Sequence, residues 1–177
     1  MIRGFSTNRL MYVVDGVRMN TAIFRSGNIQ NVISLDPFEM QHVEVFFGPG
    51  SVIYGSDAIG GVMSFRTKAP ELSLNNRLLL SGMAVERYSS ANKENTKHID
   101  INLGWEKWAF TTSFSTNDFD DLIMGKNGPD EYLRNEYVIK VDSADVTQIN
   151  KNPLIQRPSG YSQLNVMQKI RFRPNEK

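Results

Sequence analysis

The sequence has no cysteine, almost no net charge and no long apolar run, and each lack excludes something. Without cysteine there is no disulfide, no thiolate metal centre and no cysteine nucleophile. A formal net charge of +1 on 177 residues gives no electrostatic reason to expect nucleic acid as a partner. No stretch reaches the roughly 18 consecutive apolar residues of a membrane-crossing helix. Met1-Ile2-Arg3-Gly4-Phe5 also lacks the basic start and apolar run of a secretory leader. Together these lacks describe a soluble protein. They describe equally well a transmembrane β-barrel met without its leader, because barrel strands alternate apolar and polar residues and raise no hydropathy peak.

What is present falls into two textures. Residues 1–70 combine glycine with short apolar runs and predict a small α+β unit. Leu10 to Val14 reads as a buried strand, and Asp15-Gly16 supplies the positive-φ turn of a tight hairpin returning through Val17-Arg18-Met19. Ile33 to Phe38 predicts a short turn of structure, and His42 to Phe47 a second strand stopped by Gly48-Pro49-Gly50. Ser51 to Tyr54 has the composition of one helical turn capped by Ser51, and Val62 to Thr67 of a strand closed by Ala69-Pro70.

Residues 71–177 change character. Ile99, Ile101, Leu103 and Trp105 alternate with His98, Asp100, Asn102 and Gly104. After the turn Glu106-Lys107, Trp108, Phe110, Thr112, Phe114 and Thr116 alternate with Ala109, Thr111, Ser113, Ser115 and Asn117. A period of two over both runs predicts a hairpin with one apolar and one polar face. Arg77 to Tyr88 and Tyr161 to Phe172 read as strands before and after it. The connections alternate long and short, with 118–160 the longest, as extracellular loops and periplasmic turns do in outer-membrane barrels. A soluble β-sandwich produces the same alternation. The polar residues Asp100, Asn102, Lys169 and Arg171 suit a wet lumen, which leaves the barrel slightly ahead on pattern alone.

The densest motif is Gly48-Pro49-Gly50-Ser51-Val52-Ile53-Tyr54-Gly55-Ser56-Asp57-Ala58-Ile59-Gly60-Gly61. It is not a phosphate loop, since no Lys-Ser/Thr pair follows the last glycine, and it is not a dinucleotide fingerprint, since Ile53 replaces the third glycine. Turn formation and close backbone packing account for its glycines. Ser51, Ser56, His42, His98 and Asp57 contain the residue types of a hydrolase triad, but no Gly-x-Ser-x-Gly elbow exists. No His/Asp/Glu cluster has metal-ligand spacing, and Asp118, Asp120 and Asp121 lack the spaced ligands and glycine of a calcium loop. No catalytic residue, metal site or cofactor is therefore expected.

Taken in order, Ile2-Arg3-Gly4-Phe5, Asn8-Arg9, Val13 to Arg18, Ile33 to Pro37, Val43-Glu44-Val45, the Gly48–Gly61 block and Val62 to Pro70 resemble the C-terminal half of a TonB-dependent receptor plug. The resemblance implies an α+β plug remnant over 1–70. The antiparallel β-strands of an incomplete transmembrane β-barrel would then follow over 71–177, about four strands with a long extracellular loop at 118–160. It implies a bacterial outer-membrane location among lipid, and a nutrient ligand such as an iron chelate or haem. Energy would come from TonB, through a segment preceding this stretch. The residues carried over are Arg3, Gly4, Asp15, Gly16, Gly48, Pro49, Gly50, Tyr54, Gly55, Gly60 and Gly61. In the family an arginine before Gly-Pro joins the one matched by Arg3 in pairing with barrel glutamates. Phe47 stands at the first position here, which leaves Arg3 as the expected plug–barrel lock. Fewer strands than the family has imply a fragment, inert as a transporter by itself. The alternative is a soluble β-rich binding or adhesion module. The two part at one face of the hairpin: a receptor leaves Ile99, Ile101, Leu103, Phe110 and Phe114 outward, and a soluble module covers them.

Overall fold

The computed structural model describes residues 10–19, 34–48, 51–55, 58, 60–75 and 77–174. Arg3, Gly4, Pro49 and Gly50 lie outside them, as do Asn8-Arg9 and Ser56-Asp57. The chain divides into two compact units. One comprises the chain through Leu80 with Asn102–Thr111 and Met167–Lys177, and the other comprises Ser81–Ile101 with Thr112–Val166.

The first unit is built on an N-terminal sheet. Its strands are β1 (Leu10–Val14), β2 (Val17–Arg18), β3 (Met40–Phe47) and β4 (Gly61–Thr67), in the order β2-β1-β4-β3. β1 runs parallel to β4, with Met11 beside Val62 and Val14 beside Phe65. Strands buried on both faces read as continuous apolar runs, and Leu10-Met11-Tyr12-Val13-Val14 is such a run. Met11 and Val13 pack on one face with Ala58 and Val62, where Tyr54 of the single-turn helix α1 (Ser51–Tyr54) joins them. Leu10 and Tyr12 pack on the other with Phe65, flanked by Met63, Leu35 and Met40. The turn expected over 33–38 is a 3-10 turn at Pro37–Glu39, capped by Asp36, whose carboxylate accepts from Phe38 N at 2.9 Å.

Glycine is required at one point of this sheet. Gly61 has φ +142°, and a Cβ there would lie 2.7 Å from the carbonyl oxygen of Phe46 on β3. The β3–β4 register, Phe47 against Gly61, closes only because that side chain is missing.

The C-terminal sheet consists of β5 (Leu79–Ser89), β6 (Glu94–Gly104), β7 (Trp108–Phe119) and, after the long connection, β12 (Tyr161–Phe172), in the order β12-β7-β6-β5. The connection expected to be a plain polar loop holds short strands of its own. These are β8 (Leu122–Ile123), β9 (Glu136–Val141), β10 (Ala144–Ile149) and β11 (Ile155–Gln156). β9 and β10 form a hairpin about Asp142-Ser143, both at positive φ, while β8 pairs with β11.

The long strands have 11, 11, 12 and 12 residues, about twice the usual strand of a globular domain. That length matches a barrel strand crossing a bilayer at a tilt, about 9–11 residues. The sheet is open, with β5 and β12 as its edges.

Candidate functional site

The faces of β6 and β7 are inverted relative to a soluble protein. Along β6 the buried residues are Glu94, Thr96, His98, Asp100, Asn102 and Gly104. Along β7 they are Ala109, Thr111, Ser113, Ser115 and Asn117. Ile99, Ile101 and Phe114 are 48%, 43% and 44% exposed, while Leu103 and Phe110 are half-buried. From the loop end to the turn end, the outward face of β6 reads Asn95, Lys97, then Ile99, Ile101, Leu103, then Trp105. Trp105 and Trp108 flank the short turn, and Trp108 lies 4.3 Å from Phe172 between ring centroids. At the loop end Phe119 stacks on Tyr161 at 4.6 Å. The outward face thus carries an apolar band bounded by aromatic rings, the pattern that barrel strands present to lipid.

The polar face is held together by its own hydrogen bonds, as buried polar groups must be. Glu94 accepts from Arg87 Nε at 2.7 Å and from Thr96 Oγ1 at 2.8 Å. His98 joins Ser115 Oγ at 2.6 Å through Nδ1 and Asp100 Oδ2 at 2.9 Å through Nε2. Ser115, His98 and Asp100 therefore form a triad of types that periodicity did not bring together. The ring is turned opposite to a hydrolase triad, in which Nε2 meets serine. The His98 side chain is wholly buried. It closes a hydrogen-bond chain across two strands and has no face to offer a substrate. Among the described residues no group of three His, Asp or Glu side chains is placed to hold a metal ion.

In the first unit the polar face meets the N-terminal sheet. Asp15 (φ 48°) and Gly16 (φ 85°) make the hairpin turn between β1 and β2. The Asp15 carboxylate accepts from Thr67 N at 3.0 Å and from Thr67 Oγ1 at 2.5 Å, tying this turn to the last residue of β4. Lys169 Nζ on β12 donates to Asp15 Oδ2 at 3.0 Å and also to Thr67 Oγ1. Partial burial raises the Asp15 pKa, but the two Thr67 hydrogen bonds and the Lys169 ammonium outweigh it and hold the carboxyl below its ordinary 3.8.

The linker after β4 is fastened as well. Asn102 accepts from Glu71 N at 2.9 Å and donates to Glu71 O at 3.2 Å, while Thr111 Oγ1 donates to Asn102 at 2.8 Å. Ser73 N reaches Trp105 O at 3.1 Å, and Arg171 Nη1 reaches Pro70 O at 3.4 Å. A Cβ on Gly104 would fall 2.2 Å from Glu71 O, so the linker crosses β6 where glycine leaves room.

Of the residues singled out from sequence, Asp15 sits in this contact, Gly16 completes its turn, and Tyr54 packs against the core. Gly48 follows β3, Gly55 follows α1, Gly60 precedes β4 and Gly61 opens it. Phe47, at the position of the family's arginine, is 63% exposed. Lys169, Thr67, Asn102 and Gly104 were not singled out. Lys169 and Asn102 were legible only as polar positions on alternating strands.

Residues 1–62 match the family model described as the TonB-dependent receptor plug domain. The chain is 40% identical over 97 residues to a protein of Vibrio vulnificus (strain CMCP6) named vitamin B12 transporter BtuB, over 54% of this chain and 15% of that protein. It is 37% identical over 102 residues to a heme/hemopexin utilization protein C of Haemophilus influenzae (strain 86-028NP), over 56% of this chain and 14% of that one. A hemin receptor of Yersinia enterocolitica is 36% identical over 66 residues, covering 37% of this chain and 9% of its own length. The chain thus spans a small part of the relatives it matches.

Proposed function

We propose, from the premise that residues 1–62 belong to the plug family of TonB-dependent receptors, that this chain is part of an outer-membrane receptor importing a scarce nutrient. The observation that carries the reading is the inverted sheet. Strands of 11 and 12 residues bury Thr96, His98, Ser113 and Ser115 while leaving Ile99, Ile101 and Phe114 outside. In water that arrangement exposes apolar area at a cost; with lipid on the outward face that cost disappears, while the polar face suits a wet lumen. A soluble β-rich module would cover the apolar face, and no observation favours it.

On this reading the plug ends at about residue 70, β5, β6, β7 and β12 are wall strands, and the connection 118–160 is extracellular. Further strands complete the wall, because open edges are not tolerated in hydrocarbon. TonB is the partner that supplies energy. Among nutrient ligands, the named relatives support haem or cobalamin, both metal-bearing tetrapyrrole-like macrocycles, ahead of a ferric chelate. Arg3, Gly4, Pro49 and Gly50 keep their family roles, Arg3 as the plug–barrel lock.

The test is to express the full coding context in cells lacking their own haem and cobalamin receptors, fractionate the envelope, and measure growth on each nutrient with TonB present and deleted. Outer-membrane protein with TonB-dependent growth on one of the macrocycles is the expected result. Protein recovered in a soluble fraction, or growth indifferent to TonB, overturns the reading.

A further inference from the structure

We infer that Lys169, gripped jointly by Asp15 and Thr67, is a latch between the plug sheet and wall strand β12 that has to open before the plug can leave the wall; this rests on the receptor reading above. The contact joins groups 154 and 102 residues apart in sequence, and no local turn or strand rule demands it.

The Asp15 carboxylate carries the argument. A two-residue turn at positive φ accepts Asn before Gly as readily as Asp. The turn therefore accounts for the side chain's shape and leaves its charge unexplained. The charge is used twice, by the Thr67 backbone and hydroxyl within the plug and by the Lys169 ammonium on the wall. Thr67 relays between them, donating its hydroxyl proton to Asp15 and accepting from Lys169. Three groups in a closed ring define one geometry, and the ammonium must lose both partners together when the plug moves.

The place is also suited to a latch. Thr67 is the last residue of β4 and Asp15 follows the last residue of β1, so Lys169 holds the adjacent ends of the two central plug strands. Two residues along β12, Arg171 holds the linker carbonyl of Pro70. The Lys169 and Asp15 side chains are 30% and 40% exposed, so water and salt weaken the pair without abolishing it. A contact of that strength can be opened by modest force and re-formed.

This chain contributes no competing thiol of its own. Thr67→Cys and Lys169→Cys are introduced together in the receptor carrying this chain, and the thiols are joined in outer membranes by a short, reducible bis-methanethiosulfonate. Cross-linked receptor is expected to lose nutrient uptake and to regain it on reduction, the reduced form serving as control. Uptake at the uncross-linked rate with the bridge in place overturns the latch.

A second arm needs no transport. Lys169→Met and Asp15→Asn each raise the plug–wall opening constant by roughly 3- to 10-fold, read as a lower urea concentration for ionic leak through the receptor in a planar bilayer. The exchange Asp15→Lys with Lys169→Asp recovers part of that shift. Unchanged leak in both single variants overturns the latch while leaving the receptor reading intact. Coupling between the two positions in a protein that transports nothing overturns the receptor reading, and with it the latch, leaving a static tie.

Discussion

Replacing Ile99 by arginine separates a membrane wall from a water-facing sheet by a margin that can be stated beforehand. Ile99 is the sixth of the eleven residues of β6 and is 48% exposed on the outward face. If that face meets lipid, Ile99 lies near the bilayer midplane, where arginine costs about 2–4 kcal/mol. Asn95, on the same face, lies four residues towards the loop end. At about 3.4 Å per residue and a tilt near 40°, that is roughly 10 Å nearer the headgroups, where the penalty falls to about 0–1 kcal/mol. If the face meets water, both substitutions are surface changes within about 0.5 kcal/mol of neutral. The quantity to measure is the difference between Ile99→Arg and Asn95→Arg, about 2–3 kcal/mol or 30- to 150-fold in the folding constant for a membrane wall. Urea titrations of the receptor carrying this chain, folded into phosphatidylcholine vesicles and followed by tryptophan fluorescence, give both values. Costs equal within about 0.5 kcal/mol would refute the barrel assignment, whatever their absolute size.

Other outcomes follow from the same geometry. Gly61→Ala places a Cβ 2.7 Å from Phe46 O at a backbone φ of +142°, so it is expected to destabilise the N-terminal sheet by about 2 kcal/mol or more, seen as a lower urea midpoint. Met11→Ala empties a fully buried site between Val62 and Ala58 and is expected to cost about 2–5 kcal/mol in the same titration. His98→Leu removes the partner of Ser115 and of Asp100 and is expected to cost about 1–3 kcal/mol, while Ser115→Ala leaves ester hydrolysis at background; hydrolysis lost with Ser115 would revive the triad. Because the folded pKa of Asp15 is depressed, its contact is fully present above pH 3.8 and is lost as pH falls through the lower folded value. Carboxyl titration of Asp15 by NMR in receptor with and without Lys169→Met checks the sign, and a higher pKa with the lysine present would refute it.

The strands were legible because their signal is local. β6 and β7 announce themselves by a period of two, and β1 by an unbroken apolar run that only a doubly covered strand can use. Asp15-Gly16 likewise names its own turn. The segment 118–160 was less legible. Glu136–Val141 and Ala144–Ile149 alternate only partly, and their register is fixed by Asp142-Ser143, a pair far weaker as a turn signal than Asn-Gly. The direction of the hairpin's faces was beyond sequence altogether. Alternation states that two faces differ, and it does not state which one meets water, since the same residues serve a sandwich or a barrel with opposite orientation.

The contact between the N-terminal sheet and β12 was illegible for a different reason. Lys169 alternates with Ile170 and so reads as a lumen residue, but its partner lies 154 positions away and was read there as turn chemistry. A short polar side chain in a tight turn satisfies a local rule, and a satisfied local rule hides a second use. The same holds at Gly104, where a strand glycine reads as a weak point although it admits the Glu71 backbone. In both cases the second use appears when one asks what the residue does that its nearest substitute would not: Asn would make the turn but bind the ammonium more weakly, and Ala would extend the strand but block the linker. The resemblance to a plug pointed to Arg3 as the lock, a position outside the described residues. Substitution logic adds Asp15, whose charge has a partner on β12 at 3.0 Å.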